Sequence, residues 1–571
     1  MDRSVTPQGS QPVYGMVKEY NVLVPTRHGS RIACDIYRPD GEGPFPALLA
    51  MGPYGKEGQV LPIPPLPFSA DYAHIEAGNS QYFTSRGYVH VIADCFGTGH
   101  SEGQYDICSE KEQQAGYDLI EWIAAQPWCN GNVGMVGVSY YAFIQYLLAA
   151  QQPPHLKAIF PHDGWTDMYR DVAHHGGILM HGWLRVWVQG GNILAWNCPP
   201  ASLRLYSEEE LRDRVERLKA DPVIAQCPTI YNSLVFPHDK PLLFDWVVNE
   251  LDGPYYWERS AYTKLDMIKI PAVLGSEFHE YPVVMHLPGA FSAWEGIKAP
   301  KKLTIRPSVP ERPFNAFHDE LVQWYDHWLK GIDTPVWEEK PIKIWVKNAN
   351  TWRYGDQWPL RETEWTEFFL GGGTLEEGEA SGAGEGAEEF HYQPVLPFIM
   401  NPYPMNPLPQ FVSYSTPPLK QDLEVVGPIA LHLFASLDGP DGDFIVKLKD
   451  VGPDGKATVL SRGWLKASHR EVDEAKSKPW QPWHPHTRAI PVTPGDVNEY
   501  RIELRPIGNV FEKGHVITLE IWPVDYPYEP LDLTLLWPLW SHLPYSKEVS
   551  YKVLHGPKYP SRLLLPVVAK G

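Results

Sequence analysis

Apolar and polar positions alternate along the chain in three distinct ways. Between residues 15 and about 168, compact apolar runs take turns with amphipathic stretches. Val17–Val24 and Arg31–Tyr37 are predicted to pair as a hairpin around Pro25–Ser30. Pro46–Met51, Tyr88–Asp94, Asn132–Val136 and Leu156–Pro161 are predicted buried strands. Tyr117–Gln126 and Ala142–Ala150 are predicted helices, the second with Phe143, Tyr146, Leu147 and Ala150 on one face. Such alternation predicts a mostly parallel sheet flanked by helices.

From about 169 to 261 the pattern becomes helical, as in the Glu-, Arg- and Leu-rich Ser207–Ala220. Strand-like text resumes at Ile270–Gly275 and Lys301–Ile305 and closes in a helix over Asp319–Lys330. A sheet interrupted by helices predicts a cap over a site. Beyond about 340 the chain reads as strands punctuated by Pro and Gly: Ile342–Val346, Ile429–Ala435, Phe444–Val451, Tyr500–Leu504 and Val516–Trp522. The predicted organisation is therefore an α/β core over 15–168 and 262–335, a helical cap over 169–261, and an all-β jelly-roll sandwich over 336–571. Gly371–Glu389, rich in Gly and Glu, is predicted to be a mobile loop within that sandwich. No internal repeat is evident.

Composition narrows the function classes. The 571 residues include 49 basic and 69 acidic side chains, a net charge of −20, which disfavours nucleic acid as a partner. The six cysteines show neither CxxC pairing nor a disulfide framework. No apolar run is long enough for a membrane span, and the polar start MDRSVTPQGSQP lacks a secretory apolar region, so a soluble, cytoplasmic protein is expected. Strand edges of the β unit offer a surface for a homo-oligomer.

The stretch GMVGVSYYAF (134–143) places Ser139 where a strand gives way to a helix, two residues after Gly137. One reading is a nucleophile elbow, a tight turn that lifts a serine hydroxyl above the sheet edge. The other is a helix N-cap. The second glycine of G-x-S-x-G is absent: Tyr141 occupies it, and Ala142 follows.

Gly137-Val-Ser139-Tyr140 resembles the G-x-S-Y-x-G elbow of the CocE/NonD hydrolases, relatives of the S15 X-Pro dipeptidyl-peptidases. Further segments agree, in order: Asp35-Ile-Tyr-Arg-Pro39 with D-x-Y-R-P, Pro53-Tyr54-Gly-Lys56 with P-Y-x-K, Asp94–Gly103 with D-x-R-G-T-G-x-S-E-G (Phe96 replacing the arginine), and Asp326–Gly331 with D-H-W-L-K-G. Glu520–Pro527 is similar to a late strand of the family's β domain. The resemblance implies an α/β-hydrolase core, a helical cap, a C-terminal jelly roll and acyl transfer through a serine ester. It implies Ser139 as nucleophile, with the Tyr140 N–H and the Tyr54 hydroxyl as oxyanion donors.

The base and the acid depart from the family pattern. The G-W-x-D turn after the post-cap strand is replaced by Ser276-Glu-Phe-His-Glu280, so Glu280 is the expected acid and Glu277 the next choice. Pro310 fills the usual histidine place. His318 preserves the order Ser…acid…His and is the expected base; His279, His286 and His327 compete. His162, Trp165, Trp183, Trp187 and Trp196 are candidate pocket walls. Neither His162-Asp163 nor His174-His175 with His181 matches a zinc signature, so neither a metal nor another cofactor is expected. The expected activity is hydrolysis of an ester or amide of a small, fairly apolar substrate. Acyl transfer to an amine or alcohol, or ligand binding without catalysis, are the alternatives.

Overall fold

The computed structural model describes residues 9–57, 73–190, 198–278, 285–307, 317–378, 384–394, 409–525 and 542–569. A ten-stranded sheet runs in the order Met16–Pro25, Arg31–Pro39, Val89–Asp94, Phe45–Gly52, Cys129–Met135, Leu156–Ile159, Ala272–Glu277, Lys301–Arg306, Ile342–Val346, Thr351–Gly355. Its centre is parallel and its two ends are antiparallel hairpins. Val89–Asp94 is buried at every position, as a strand covered on both faces must be. The edge strand Met16–Pro25 is mostly open to solvent.

Helices cover both faces. Glu110–Ala124 starts seven residues earlier than the apolar period suggested, because its first turn, Glu-Lys-Glu-Gln-Gln, is polar and is set by the Ser109 cap instead. The predicted helix at 142–150 is observed as Tyr140–Ala150, and the closing helix as His318–Lys330. Among the described residues between 181 and 259, the regular structure is helical. Four of these helices open on proline, at Pro222, Pro228, Pro241 and Pro254, where a missing N–H costs nothing. Glu208–Lys219 opens on a reciprocal capping box between Ser207 and Glu210.

Ile342–Val346, expected in the C-terminal β unit, belongs to the core sheet. It pairs in parallel with Leu303–Ile305 and forms a hairpin with Thr351–Gly355. Its alternation, with Ile342, Ile344 and Val346 turned inward, specifies a strand with one buried face but not which sheet it joins.

Apart from two short two-stranded pairs, Ala73–His74 with Gly78–Asn79 and His174–His175 with Ile178–Leu179, the remaining strands form a separate C-terminal β unit, one eleven-stranded sheet that closes on itself through pairing of Leu423–Leu437 with Arg562–Val568. Leu431, Leu433, Phe444, Val446, Ile502, Leu504, Leu519 and Ile521 fill its interior. The segment predicted as a mobile loop at 371–389 contributes the strand Thr374–Glu377 and the start of Gly386–Tyr392; the part from 379 to 383 lies outside the described residues. No helix among the described residues is long and apolar enough to cross a membrane.

Candidate active site

Ser139 sits between the strand Cys129–Met135 and the helix Tyr140–Ala150 with φ 60° and ψ −117°. A non-glycine residue held there costs about 1–3 kcal/mol and persists only when its surroundings fix it. Gly137, at φ 136°, makes the turn sterically feasible: a Cβ there would lie 2.2 Å from Tyr141 Cβ. The departure from G-x-S-x-G has a local explanation. Gly52 leaves room for the Tyr141 ring, since a Cβ on it would sit 2.3 Å from Tyr141 Cζ. Gly164 faces Ala142, whose methyl carbon would be 3.1 Å from a Cβ at 164. The room that the missing elbow glycine would leave is made instead by Gly52, at the end of a neighbouring strand, and by Gly164, in the segment after Leu156–Ile159.

The Ser139 side chain does not cap its helix. Its Oγ lies 3.1 Å from His286 Nε2. Only 7% of Ser139 is exposed, and His286 is buried too. His286 is the residue before the helix Leu287–Gly296, and its ring lies parallel to Trp165 with centroids 6.0 Å apart. Trp165 is itself stacked on Phe143, one turn into the elbow helix, at 3.9 Å. Gly289 permits this approach: a Cβ there would meet the Gly164 carbonyl oxygen at 2.1 Å. The histidine is thus aimed by backbone-on-backbone packing of its helix against Gly164–Trp165.

His318, the expected partner of Ser139, is placed elsewhere. It opens the closing helix with its ring stacked on Tyr82 at 4.9 Å and edge-on to Phe83 at 5.2 Å, and burial lowers its pKa to about 4. His327 packs edge-on against Trp328. Glu280, His279, Pro310 and Trp196 lie outside the described residues.

Around the elbow, the Ser139 N–H donates to the His162 carbonyl, and the His162 ring packs against Phe317 at 4.3 Å. Asp163 accepts the Ser276 hydroxyl at 2.9 Å. His162, Asp163 and Glu277 each bring one polar atom to within 4.8 Å of the others, at the carboxyl ends of neighbouring strands. Tyr54 stands edge-on to Tyr140 at 6.1 Å, and its hydroxyl accepts the Trp187 indole N–H at 3.2 Å. Trp187 also stacks with Trp183 at 6.1 Å and meets Trp165 edge-on at 6.2 Å. Phe143, Trp165, Trp187 and Trp183 form a continuous aromatic wall from the elbow helix into the helical segment.

The other motifs are structural. Lys56 Nζ pairs with Asp35 at 3.2 Å, and the Lys56 N–H donates to Asp94 at 2.8 Å, so three separated motifs meet beneath Tyr54. Gly97-Thr-Gly99 wraps the Asp94 carboxylate, which accepts the His100 N–H, and a Cβ at 99 would lie 2.2 Å from it. That loop therefore cradles a carboxylate of the protein itself.

Residues 28–309 match the family model of the X-Pro dipeptidyl-peptidase (S15 family), and residues 335–534 that of the X-Pro dipeptidyl-peptidase C-terminal non-catalytic domain. The chain is 27% identical to the cocaine esterase of Rhodococcus sp. (strain MB1 Bresler), over 96% of this chain and 98% of the relative. The structure of a CocE/NonD family hydrolase from Staphylococcus aureus superimposes with a TM-score of 0.79 at 24% identity, covering 97% of this chain and 94% of that one. An α-amino acid ester hydrolase superimposes at 0.74 with 18% identity, covering 99% and 98%. At these identities the two structures show a shared fold.

Proposed function

Because the chain belongs to the CocE/NonD family of S15-like serine hydrolases, we propose that it cleaves an ester or amide through an acyl-serine at Ser139, with His286 as the general base. The observation that carries this reading is the 3.1 Å contact between Ser139 Oγ and His286 Nε2 at the head of a strained strand-to-helix turn. Ser139 Oγ attacks the carbonyl carbon while its proton passes to Nε2. The tetrahedral oxyanion collapses, the C–O or C–N bond breaks, and the leaving group takes that proton. Water then repeats the sequence on the acyl-serine and frees the acid. Glu280, six positions before His286 in the sequence, is proposed to orient the imidazole.

The Tyr140 N–H and the Tyr54 hydroxyl are proposed as oxyanion donors. Tyr54 is supported by its place beside Tyr140 and by the Trp187 bond that holds its oxygen. Tyr54→Phe is expected to lower kcat on p-nitrophenyl acetate about 10²-fold with little change in KM. An unchanged kcat would remove Tyr54 from the oxyanion site. The aromatic wall supports a small, largely apolar acyl or leaving group, as burial of a substrate against Phe143 and Trp165 requires.

A fluorophosphonate probe tests the proposal. It is expected to attach to Ser139 at neutral pH and to leave the Ser139→Ala variant unlabelled, with the site read by mass spectrometry. A wild-type protein that stays unlabelled between about pH 6 and 9, where a histidine base is neutral over much of the range, would favour a binding protein without this chemistry.

A further inference from the structure

The residue after the nucleophile is anchored by a carboxyl group that no step above uses. The Tyr140 hydroxyl donates to Glu112, with its oxygen 2.8 Å from Oε1 and 3.0 Å from Oε2, and accepts from the Tyr105 hydroxyl at 2.8 Å. Glu112 Oε2 also accepts the Cys108 N–H at 2.6 Å. All of these groups are buried; Glu112 and Tyr140 are fully so. Among the described residues no cation pairs with Glu112. Burial pushes its pKa up to about 7.

A carboxyl in this position is expensive. Desolvation disfavours its charged form, which these hydrogen bonds and the first turn of its own helix only partly offset. An apolar side chain would pack the space between the two helices at lower cost. What the carboxyl supplies is direction. It holds the phenol of Tyr140 at a fixed point in the first turn of the elbow helix, one residue beyond the strained Ser139. A strained turn needs its neighbours fixed, and here the fixing group reaches from the start of a second helix.

We propose that Glu112 is a positioning residue for catalysis. Through the Tyr140 phenol it holds the Tyr140 backbone N–H at the place where the oxyanion develops. This rests on Ser139 being the nucleophile. Glu112 and Tyr140 are fully buried, which leaves neither side chain open to a substrate, so the effect belongs to the transition state. A displacement of that N–H by a fraction of an ångström weakens a hydrogen bond made only when charge appears on oxygen.

The test compares Glu112→Gln, Tyr140→Phe and Tyr105→Phe in the full-length protein. Glu112→Gln and Tyr140→Phe are expected to lower kcat on p-nitrophenyl acetate about 10- to 100-fold, with KM within about threefold of the parent. Phenylboronic acid, which becomes tetrahedral on a serine oxygen and places a hydroxyl in the oxyanion position, is expected to bind more weakly by the same factor. Tyr105→Phe leaves the Glu112–Tyr140 bonds in place and is expected to change kcat less than about threefold, a control for loss of a buried hydroxyl. Should Glu112→Gln fail to fold, Tyr140→Phe, which removes one oxygen, decides. A Tyr140→Phe enzyme with parental kcat, or one with lowered kcat and unaltered boronic acid affinity, overturns the proposal. Fluorophosphonate labelling of the parent at Ser139 separates that failure from failure of the nucleophile assignment itself.

Discussion

His286→Ala is expected to lower kcat/KM by at least about 10³-fold, whereas His318→Ala is expected to leave it within a few-fold of the parent. The two histidines differ in what they face. His286 Nε2 lies within hydrogen-bond reach of Ser139 Oγ, and a serine without a base is a weak nucleophile. His318 packs between Tyr82 and Phe83, so its loss removes buried ring contacts and costs stability rather than transition-state binding. Steady-state kinetics on p-nitrophenyl acetate, with melting temperatures measured alongside, separate the two effects. A His318→Ala enzyme that is folded but inactive, beside an active His286→Ala enzyme, would reverse the assignment.

Acidification from pH 7 to 5 is expected to remove several kcal/mol of stability, by an imbalance among buried titratable groups. His74, His318 and His469 are lowered by burial to about 4, and burial also lowers His90, His174, His175, His484 and His486. The sign follows from where the protons go. Below about pH 6.5 the unfolded chain charges these imidazoles and the folded one does not, so stability present above that pH is lost as the pH falls toward the folded values. Each of the three at about 4 withdraws about 2 kcal/mol by pH 5.

Buried carboxyls act the other way. Glu112, Asp171 and Glu503 are raised by burial to about 7, and Asp245 and Asp252 to about 6; each gains stability as it takes up a proton. Burial also raises Asp35, Asp94 and Asp443, but the carboxyls at about 7 already carry part of their protons at pH 7, whereas the eight histidines are lowered, so the net change is a loss. Much of it falls at the seam between the helical segment and the β unit, where His175 meets His542 at 2.9 Å and His469 meets His486 at 3.0 Å. Urea midpoints at pH 7, 6 and 5 are expected to fall steadily at constant m. A flat or rising series would show that the histidines are already charged in the folded protein.

The proposed nucleophile stood out in the chain because its signal is local: a strand, a tight turn and a helix within residues 129–150. Even the missing elbow glycine proved a matter of partners, with Gly52 and Gly164 making the space. The proposed base was not legible in the same way. Ser139 and His286 are 147 positions apart, and their meeting depends on one helix start closing onto the Gly164–Trp165 backbone. The only sequence trace of that event is Pro288-Gly289 just after the histidine: a proline that marks a helix start and a glycine that clears the contact. Chain order pointed instead to His318, because order carries no information about which ring reaches across a sheet edge. Likewise the inward period of Ile342–Val346 identified a strand, while its neighbour was settled by packing over a distance no window of sequence samples.

The hairpin Ile342–Gly355 has a practical consequence for anyone dividing this molecule. A catalytic lobe excised at residue 335 would lose the two outermost ribbons of its own sheet and expose the bare flank of Lys301–Arg306, an invitation to aggregate. The same ribbon is fastened to the other lobe, since the Lys347 N–H donates to the Gly508 carbonyl and the Lys347 carbonyl accepts from Val510. The two lobes are better regarded as sewn together along that seam than as beads on a string.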